Sequence, residues 1–313
     1  MKKLVSIVIP VYNEQENLTT LVDEISTVFI NLPSYAFELI LINDGSSDES
    51  LRTIKDIARR TDGLRYLSFS RNFGKEAATT AGIRHSKGQA VICIDGDGQH
   101  PPALIPELIR SWEDGNKVVV GVRTVNKNEG AIKKYGSKLF YWLLNKTDES
   151  STMPGSTDYR LIDRVVVDEF ISLTERNRIT RGLIDWLGFE RSYLNFEARE
   201  RVHGTAGYSV SKLFRLAMHS FVSQSTKPLK FTGYLGLFIT TFSLFAALFF
   251  IIEMYLLGDP LDLGLSGTAL LGVITTLLMG IVLTCQGLLA LYIESIHTET
   301  QNRPLYIIAE KSE

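Results

Sequence analysis

The sequence predicts an α/β domain with a Rossmann-like, mostly parallel sheet, followed by an interfacial helix and two helices that cross a membrane. Three observations lead to this prediction. Apolar runs of strand length alternate with segments of helical periodicity in the first part of the chain, as in βαβ units. Polar residues follow three of the first four strands. Charged residues then almost vanish between residues 231 and 293.

The secondary structure is predicted from hydrophobic periodicity and from turn residues. Strands are expected at 5–11, 37–42, 64–69, 90–94 and 117–122, and a last strand within 194–203. Helices are expected at 16–30, 48–60, 75–86, 102–114, 133–144 and 164–173. Residues 158–161 are expected to lead into the helix at 164–173, and residues 176–189 to form an amphipathic segment at the protein surface or at a membrane surface.

The fourth strand leads into the most informative stretch, AVICIDGDGQHPP, residues 90–102. Asp95 and Asp97 stand one residue apart where the strand ends, with glycines that let the backbone turn sharply. Two carboxylates at the carboxyl end of a sheet strand suit a hard divalent cation. An ordinary turn is also rich in Asp and Gly, and this stretch alone favours neither interpretation.

Two further polar loops follow predicted strands, at 13–14 and at 43–44. Right-handed connections bring the carboxyl ends of parallel strands to the same edge of a sheet, so these loops should lie beside Asp95 and Asp97. Three converging polar loops indicate a nucleotide pocket. The first strand is not followed by the glycine pattern of a P-loop or of a dinucleotide site, which argues against both.

Composition excludes some classes of function. The net charge of −2 and the pI near 6.3 give no reason to expect nucleic acid as a partner. The two cysteines, Cys93 and Cys285, both lie in apolar runs and suggest neither a disulfide framework nor a zinc site. A reducing, cytoplasmic setting is therefore expected for the globular part.

Two uncharged stretches, 231–252 and 263–293, are long enough to cross a membrane, which takes about 20 apolar residues. Lysines precede the first stretch, and the loop between the two has no Lys or Arg. The positive-inside rule then places the globular part and the C-terminus in the cytoplasm. The small residues Gly267, Gly272 and Gly280 allow helix contacts in a homo-oligomer without demanding them.

These patterns predict four regions. They are a catalytic domain at 1–207, an amphipathic juxtamembrane segment at 208–230, a transmembrane hairpin at 231–293 with helices at about 231–256 and 265–292, and a cytoplasmic tail at 294–313.

An ordered set of motifs carries a resemblance to a known family. The motifs are IPVYNE at 9–14, NDGSSD at 43–48, SRNFGKE at 70–76, DGDGQHPP at 95–102, DYRL at 158–161, RGLIDWLGF at 181–189 and STKPL at 225–229. Together they resemble the family 2 glycosyltransferases with a GT-A fold. More narrowly, they resemble the polyprenyl-phosphate glycosyltransferases of the bactoprenol glucosyltransferase group, to which dolichol-phosphate mannose synthases are more distantly related.

The resemblance implies an inverting transfer of a sugar from a nucleotide-sugar to undecaprenyl phosphate at the cytoplasmic face of a bacterial membrane. UDP-glucose is the donor that it favours, and the product is a lipid-linked sugar for modification of cell-envelope glycans. A divalent cation, Mg²⁺ or Mn²⁺, would neutralise the departing diphosphate. Asp95 and Asp97 are the expected metal ligands, with Gln99 as a third. The nucleotide-sugar site is expected to comprise Pro10, Tyr12, Glu14, Asp44, Lys75, Asp95 and Gly96.

The acceptor phosphate is already anionic near neutral pH and needs cations more than it needs a base. The resemblance assigns this phosphate to Arg123, Lys133, Ser137 and Arg201. Asp97, Asp158 and Arg123 are the expected catalytic residues, and Asp158 acts either as a base or as an orienting group. Residues 204–209 read GTAGYS where relatives often carry a Ser-Lys pair, so a phosphate contact there falls to Lys212 or is lost.

Two other functions remain open from sequence. A processive polysaccharide synthase of the same family would need more membrane spans and usually a Gln-x-x-Arg-Trp motif, which this chain lacks. A membrane scaffold or lipid-binding protein on a degenerate transferase fold is the alternative from a different class. The intact acidic residues Asp44, Asp95 and Asp97 argue against it.

Overall fold

The computed structural model describes residues 2–124, 155–176, 178–199 and 267–312, with residue 153 and scattered residues between 234 and 252. The chain forms two compact units, one of Met1–Gly207 with Asn302–Glu313 and one of Tyr208–Gln301. The chain therefore returns to the first unit after completing the second.

The described part of the first unit contains eight strands and six α-helices. The strands are β1 (Lys3–Val11), β2 (Tyr35–Asn43), β3 (Leu64–Phe69), β4 (Ala90–Cys93), β5 (Val118–Arg123), β6 (Ser156–Asp163), β7 (Arg191–Phe196) and β8 (Ile308–Lys311). The helices are α1 (Leu18–Ile30), α2 (Ser50–Arg60), α3 (Lys75–His85), α4 (Ile105–Glu113), α5 (Arg164–Ser172) and α6 (Thr180–Trp186), and a 3₁₀ turn (Pro102–Leu104) precedes α4.

All eight strands join one sheet in the order β7-β5-β6-β4-β1-β2-β3-β8. The pairs β1–β2, β1–β4, β2–β3 and β5–β7 are parallel, whereas β6 runs antiparallel to β4 and β5, and β8 antiparallel to β3. The prediction of a mostly parallel α/β sheet is confirmed. From β1 the chain builds outward to β2 and β3 and then crosses back to β4, so the strand order reverses beside β1, where open α/β sheets bind ligands.

The sheet is covered on both faces, which explains the continuous apolar runs in its central strands. Ile7 and Ile9 of β1 belong to one core with α1, α2 and α4, and Val8 belongs to a second core with α3 and α5. Helix α3 packs very closely, because a Cβ on Gly82 would lie 2.2 Å from a methyl carbon of Val8. The small residues of α3 thus let a helix lie directly on the central strands.

A buried polar cluster closes the amino edge of the parallel strands. Glu38 accepts hydrogen bonds from the Ser6 hydroxyl at 2.6 Å, the Lys87 N–H at 2.6 Å and the Arg65 guanidinium at 2.5 Å. Arg65 also donates to the carbonyl of His85. Burial raises the pKa of the Glu38 carboxyl, but these donors outweigh burial and hold its pKa below the usual range.

Strand β6 was not predicted; residues 158–161 were expected to lead into a helix, and they lie inside this strand instead. The reason is Arg160, which is 2% exposed in the middle of the strand and breaks the apolar run that a buried strand normally shows. Its guanidinium pairs with Asp185 of α6 at 3.6 Å and donates to the carbonyl of Thr157. A charged side chain can be buried inside a strand when it has a partner. Such a strand lacks the continuous apolar run from which a buried strand is predicted.

Residues 294–313 also differ from the expected tail. Helix α7 (Gly267–Thr300) extends to Thr300, and β8 then pairs with β3 at the edge of the sheet. Tyr306 stacks on Phe69 with ring centroids 4.9 Å apart, and Glu310 receives hydrogen bonds from Lys55 and from the Tyr66 hydroxyl. Residues 302–313 are therefore an integral part of the first unit.

The second unit supplies one described helix of membrane-spanning length and composition, the segment Leu278–Thr300 within α7. The first predicted span, 231–256, lies outside the described residues except for scattered positions, among which Tyr234, Phe238 and Phe242 are exposed. The segment Leu278–Thr300 overlaps the second expected span, at 265–292, and its length and composition would allow it to cross a membrane. The helix predicted at 133–144 and the juxtamembrane segment at 208–230 lie outside the described residues.

Candidate active site

The loops that follow β1 and β2 are joined at the carboxyl edge of the sheet, as the sequence predicts. The Asn13 side-chain oxygen accepts a hydrogen bond from the Ser47 N–H at 2.9 Å, and the Asn13 N–H donates to the Ser46 hydroxyl at 3.1 Å. Asn13 has a φ of 57°, a left-handed conformation that asparagine tolerates better than most residues. The Glu14 N–H donates to the Ser50 hydroxyl at 2.9 Å, so the two loops form one rigid rim.

Asp95 and Asp97 lie just beyond β4 at this edge, on a backbone that passes close to the end of β1. A Cβ on Gly96 would lie 3.1 Å from the Pro10 carbonyl oxygen, so a glycine permits this approach. The Asp97 carboxylate accepts the Gln99 N–H at 3.1 Å, and the Gln99 carbonyl accepts the Arg199 N–H at 3.1 Å. The acidic stretch is therefore held by the backbone around it.

His100 lies behind Asp95. The Asp95 N–H donates to His100 Nδ1 at 3.2 Å, and the imidazole stacks on Tyr159 with centroids 5.0 Å apart. Burial lowers the pKa of His100, so the ring is neutral at pH 7 and accepts this hydrogen bond. Because it is neutral, His100 does not neutralise the carboxylates in front of it.

Lys75, the first residue of α3, connects two carboxylates from different strands. Its ammonium lies 2.7 and 2.9 Å from the two oxygens of Asp95 and 2.7 Å from Asp158 Oδ2. Asp158 lies in β6, the unpredicted strand. The structure thus brings together three predicted site residues in a single ion-pair cluster.

Electrostatics within this cluster favour the charged forms of its members. Burial lowers the pKa of the Lys75 ammonium, but the Asp95 and Asp158 carboxylates outweigh burial and raise that pKa above its usual range. Burial likewise raises the pKa of Asp158, yet the Lys75 ammonium dominates and lowers it, with smaller effects from Arg181 and Arg160. Lys75 and Asp158 are therefore both ionised at neutral pH.

Asp44, for which a contact with the nucleotide is expected, is buried and bonded to the backbone of the β3–α3 loop. It is 2% exposed, and its two oxygens accept hydrogen bonds from the Phe73 N–H at 2.7 Å and the Gly74 N–H at 3.0 Å. Burial raises its pKa and these two donors oppose that rise. Asp44 thus fixes the backbone of the β3–α3 loop immediately before Lys75.

The other expected nucleotide-site residues line the same edge. Pro10 is half-buried at the end of β1, and Tyr12 is 48% exposed in the loop that follows. Glu14 is half-buried and accepts a hydrogen bond from the Asn17 amide at 2.6 Å. The rim therefore offers a flat aromatic side chain beside the acidic residues.

The expected acceptor site is only partly described. Arg123 ends β5 with an exposed side chain, and its N–H donates to the Gly155 carbonyl at 2.9 Å. Lys133, Ser137 and Arg201, together with Lys212, lie outside the described residues. Their expected contacts with a lipid phosphate remain predictions.

The acidic residues at this edge suit a hard divalent cation. Asp95 and Asp97 offer carboxylate oxygens, Gln99 adds an amide oxygen, and a cationic group, the Lys75 ammonium, already contacts both oxygens of Asp95. Within the described ranges, there is no group of three or more His, Cys, Asp or Glu side chains that could hold a metal ion by themselves. A two-carboxylate site fits Mg²⁺ or a similar ion, which binds through one or two carboxylates together with substrate phosphates.

Sequence reasoning identified Lys75 and Asp158 separately and missed the contact between them. The signal was weak, because it depends on the antiparallel register of β4 and β6, which pairs Cys93 with Arg160. Asp95 lies two residues after Cys93 and Asp158 two residues before Arg160, so this antiparallel pairing directs both toward the same edge. Recognising β6 as a strand is the step that would have brought the two carboxylates together.

An open α/β sheet with acidic residues at its switch point is the arrangement of a GT-A glycosyltransferase domain, and solved structures share this fold. Glucosyl-3-phosphoglycerate synthase from Mycobacterium tuberculosis, in complex with Mn²⁺, UDP and phosphoglyceric acid, superposes with a TM-score of 0.53 at 20% identity, covering 71% of this chain and 78% of that one. Mannosyl-3-phosphoglycerate synthase from Rubrobacter xylanophilus also gives 0.53, at 18% identity and 74% and 75% coverage. The predicted GT-A fold is confirmed.

The sequence defines the family. The model for glycosyl transferase family 2 matches residues 6–171, and the chain belongs to that family. A Bacillus subtilis protein named CsbB is 37% identical over 98% of this chain and 92% of its own length. The SfII prophage-derived bactoprenol glucosyl transferase of Shigella flexneri is 36% identical over 97% of both chains, and the bactoprenol glucosyl transferase of Shigella phage SfV is 35% identical over 99% of both. The protein is a glycosyltransferase.

Proposed function

We propose that this enzyme transfers glucose from UDP-glucose to a polyprenyl phosphate, with inversion, at the cytoplasmic face of a bacterial membrane. The observation that carries the proposal is the cluster of Asp95, Asp158 and Lys75 beside Asp97 at the switch point of the sheet. Relatives named bactoprenol glucosyl transferase that match almost the whole chain support the choice of sugar and lipid. The apolar helix α7 is consistent with a lipid substrate.

On the donor side, Asp95 and Asp97, with Gln99, would hold Mg²⁺ or Mn²⁺ together with the donor diphosphate. The cation supplies Lewis-acid stabilisation of the negative charge that develops on the leaving UDP. Tyr12 offers an exposed aromatic face for the base, and Glu14 and Pro10 shape the rim. Gly96 lets the acidic stretch approach that rim.

Asp44 contributes to donor binding indirectly in this proposal. Its carboxylate is occupied by the N–H groups of Phe73 and Gly74, so it acts as a positioning residue for the loop that presents Lys75. Lys75, which contacts Asp95, would in this proposal also bind a donor phosphate. A neutral residue at position 44 would leave the two N–H groups with a weaker acceptor.

On the acceptor side, Arg123 and, in regions outside the described residues, Lys133, Ser137 and Arg201 would bind the lipid phosphate. Cations and hydroxyl donors offset repulsion between the incoming phosphate and the donor diphosphate. Because the second pKa of a phosphate monoester is about 6, the nucleophile is already ionised near neutral pH. Attack therefore needs orientation more than proton removal.

This chemistry favours an orienting role for Asp158 over a role as a base. Its carboxylate is held by Lys75 at 2.7 Å and its pKa is lowered by that ammonium after burial is overcome, which makes it a weak base. We assign it to hold Lys75 and the neighbouring cations in place. The two-span topology, with both termini in the cytoplasm, belongs to the same proposal, as does any homo-oligomer.

The test is a donor panel with the full-length protein in detergent. We expect labelled glucose to pass from UDP-glucose to undecaprenyl phosphate with Mg²⁺ or Mn²⁺, and UDP-GlcNAc and UDP-galactose to be poor donors. The variant Asp97→Asn keeps an acceptor for the Gln99 N–H and should lose about a thousandfold in rate, since a metal supplies several kcal/mol of charge stabilisation.

The matched control is Asp114→Asn, an exposed residue at the end of α4, which should retain full activity. Transfer by Asp97→Asn within fivefold of the native rate contradicts the metal assignment. Native protein that transfers no sugar from any donor in the panel contradicts the proposed reaction.

A further inference from the structure

The pairing of β4 with β6 brings two carboxylates, those of Asp95 and Asp158, close together at the active site. The antiparallel register of the two strands ends with the pair Cys93 and Arg160, and beyond it the Asp95 and Asp158 carboxylates lie close enough for one ammonium, that of Lys75, to contact both. Two carboxylates that share a site repel each other when both are ionised. A cation between these two carboxylates therefore offsets their repulsion.

Lys75 supplies a cation between Asp95 and Asp158. Its ammonium contacts both oxygens of Asp95 and one oxygen of Asp158, all within 2.9 Å. Among the described residues, Arg160 and Arg181 also act on Asp158, and Asp97 adds a further negative charge two residues from Asp95. His100 Nδ1 accepts the Asp95 N–H and lies 3.8 Å from the nearer carboxylate oxygen, whereas the Lys75 ammonium lies within 2.9 Å of both oxygens.

The backbone of Lys75 is fixed, whereas its side chain is partly exposed. Gly74, just before it, has a φ of 100° and donates its N–H to Asp44. Glu76, just after it, accepts hydrogen bonds from the N–H and hydroxyl of Thr180. The Lys75 side chain nevertheless remains 44% exposed. A lysine carries a compact charge on a flexible stem, so the ammonium can move while the helix start stays in place.

We infer that Lys75 is an internal counter-ion that occupies Asp95 in the nucleotide-free enzyme and releases it to a divalent metal only when a nucleoside diphosphate arrives to receive the ammonium. This inference rests on the proposed metal-dependent use of a nucleotide donor. Metal alone has to displace a bound cation from Asp95. Metal that enters with a diphosphate gives the displaced ammonium a new anionic partner.

The consequence is a coupling between metal and nucleotide that Lys75 creates. Any ligand that changes the affinity for a second ligand does so reciprocally, so UDP should tighten Mn²⁺ binding by the same factor as Mn²⁺ tightens UDP binding. Without Lys75, Asp95 is free for Mn²⁺ in the absence of nucleotide. The affinity for Mn²⁺ alone should then rise, and the effect of UDP should shrink.

The experiment measures Mn²⁺ binding to full-length protein in detergent by the EPR signal of free Mn²⁺, with and without UDP. For Lys75→Met we expect Mn²⁺ alone to bind about tenfold more tightly than to native protein, and the enhancement by UDP to fall by about tenfold. Lys75→Arg keeps the charge and should resemble native protein. Lys55→Met is the matched control, because Lys55 also pairs with a carboxylate, that of Glu310, outside the site.

Lys75→Met leaves two facing carboxylates without their counter-ion and is checked for folding by thermal melting. The double variant Lys75→Met/Asp158→Asn removes that repulsion, and it should also bind Mn²⁺ alone more tightly than native protein. If neither variant binds Mn²⁺ more tightly, or if UDP does not enhance Mn²⁺ binding to native protein, the counter-ion role is overturned. If native protein binds no Mn²⁺ under either condition, the proposed metal use itself fails.

Discussion

Each end of the central sheet carries a cluster of polar residues around a carboxylate. The two carboxylates differ in how exposed they are and in which groups donate hydrogen bonds to them. At the amino edge, Glu38 is 7% exposed and has three donors, two of which are a backbone N–H and a neighbouring hydroxyl. At the carboxyl edge, Asp95 is more exposed, and its carboxylate contacts the flexible Lys75 ammonium. A carboxylate held by fixed groups serves stability, whereas one held by a mobile cation is available to a ligand.

The comparison also separates backbone from side-chain chemistry. The carboxyl edge is rigid where the backbone is concerned, since Asp44 fixes Phe73 and Gly74, and Asn13 joins the first two loops. In the counter-ion role inferred above, the Lys75 ammonium changes its partner while this backbone stays in place. A preorganised scaffold with exchangeable counter-ions is what a site needs that must accept a charged diphosphate without refolding.

The largest difference between the two edges should appear in activity. Replacing Asp95 by Asn removes one of two facing carboxylates and leaves Lys75 paired with Asp158, so the fold is retained while the donor cation loses a ligand. We expect sugar transfer to fall about a thousandfold with little change in melting temperature. The measurement is the transfer rate and thermal melting of the same preparation, and a rate within tenfold of native would place Asp95 with the structural cluster instead.

At the amino edge we expect a smaller effect, on stability and not on activity. Glu38→Gln keeps the size of the side chain but removes the charge that receives Arg65, at a cost of about 2 kcal/mol for a hydrogen bond to a charged group. The melting temperature should fall by roughly 4–8 °C, with the rate per folded molecule unchanged. A loss of activity without a loss of stability would show that the two edges are coupled.

The smallest effect is the pH dependence of that stability difference. The folded-state pKa of Glu38 is lowered, so the stability contributed by its ionised form is present above the unfolded value of about 4.3 and is lost as the pH falls through the lower, folded value. The gap in melting temperature between native protein and Glu38→Gln should therefore be constant from pH 6 to 8 and narrow below about pH 4.3. A gap that widens on acidification would reverse the sign assigned to this carboxyl.

The sequence predicted the elements whose patterns are local. The strands that became β1 to β4 are apolar runs with turn residues at their ends, and Asp95 and Asp97 follow one of them directly. Strand β6 escaped because Arg160, a buried charge satisfied by the distant Asp185, interrupts its pattern. The ion-pair cluster escaped with it, because the contact of Lys75 with Asp158 depends on a register that joins distant segments.

Asp44 is a residue whose position was predicted from the sequence but whose hydrogen-bond partners were not. Its position after β2 was predicted, but its partners, the N–H groups of Phe73 and Gly74, come from a loop some thirty residues further along. A Cβ on the neighbouring Gly45 would lie 2.3 Å from the Arg71 carbonyl carbon, so the two loops are in direct backbone contact. Such contacts are set by tertiary packing and leave no periodic signal in the sequence.

Strand β8 places a constraint on the order in which the protein is made. The ribosome translates the apolar helix α7 before residues 308–311, yet those residues complete the edge of the sheet beside β3. During synthesis the edge of β3 thus stays unpaired until the apolar helix has been translated, and unpaired strand edges promote aggregation. The catalytic sheet can therefore be completed only after the apolar helix has been translated, although β1 to β7 precede that helix in the chain.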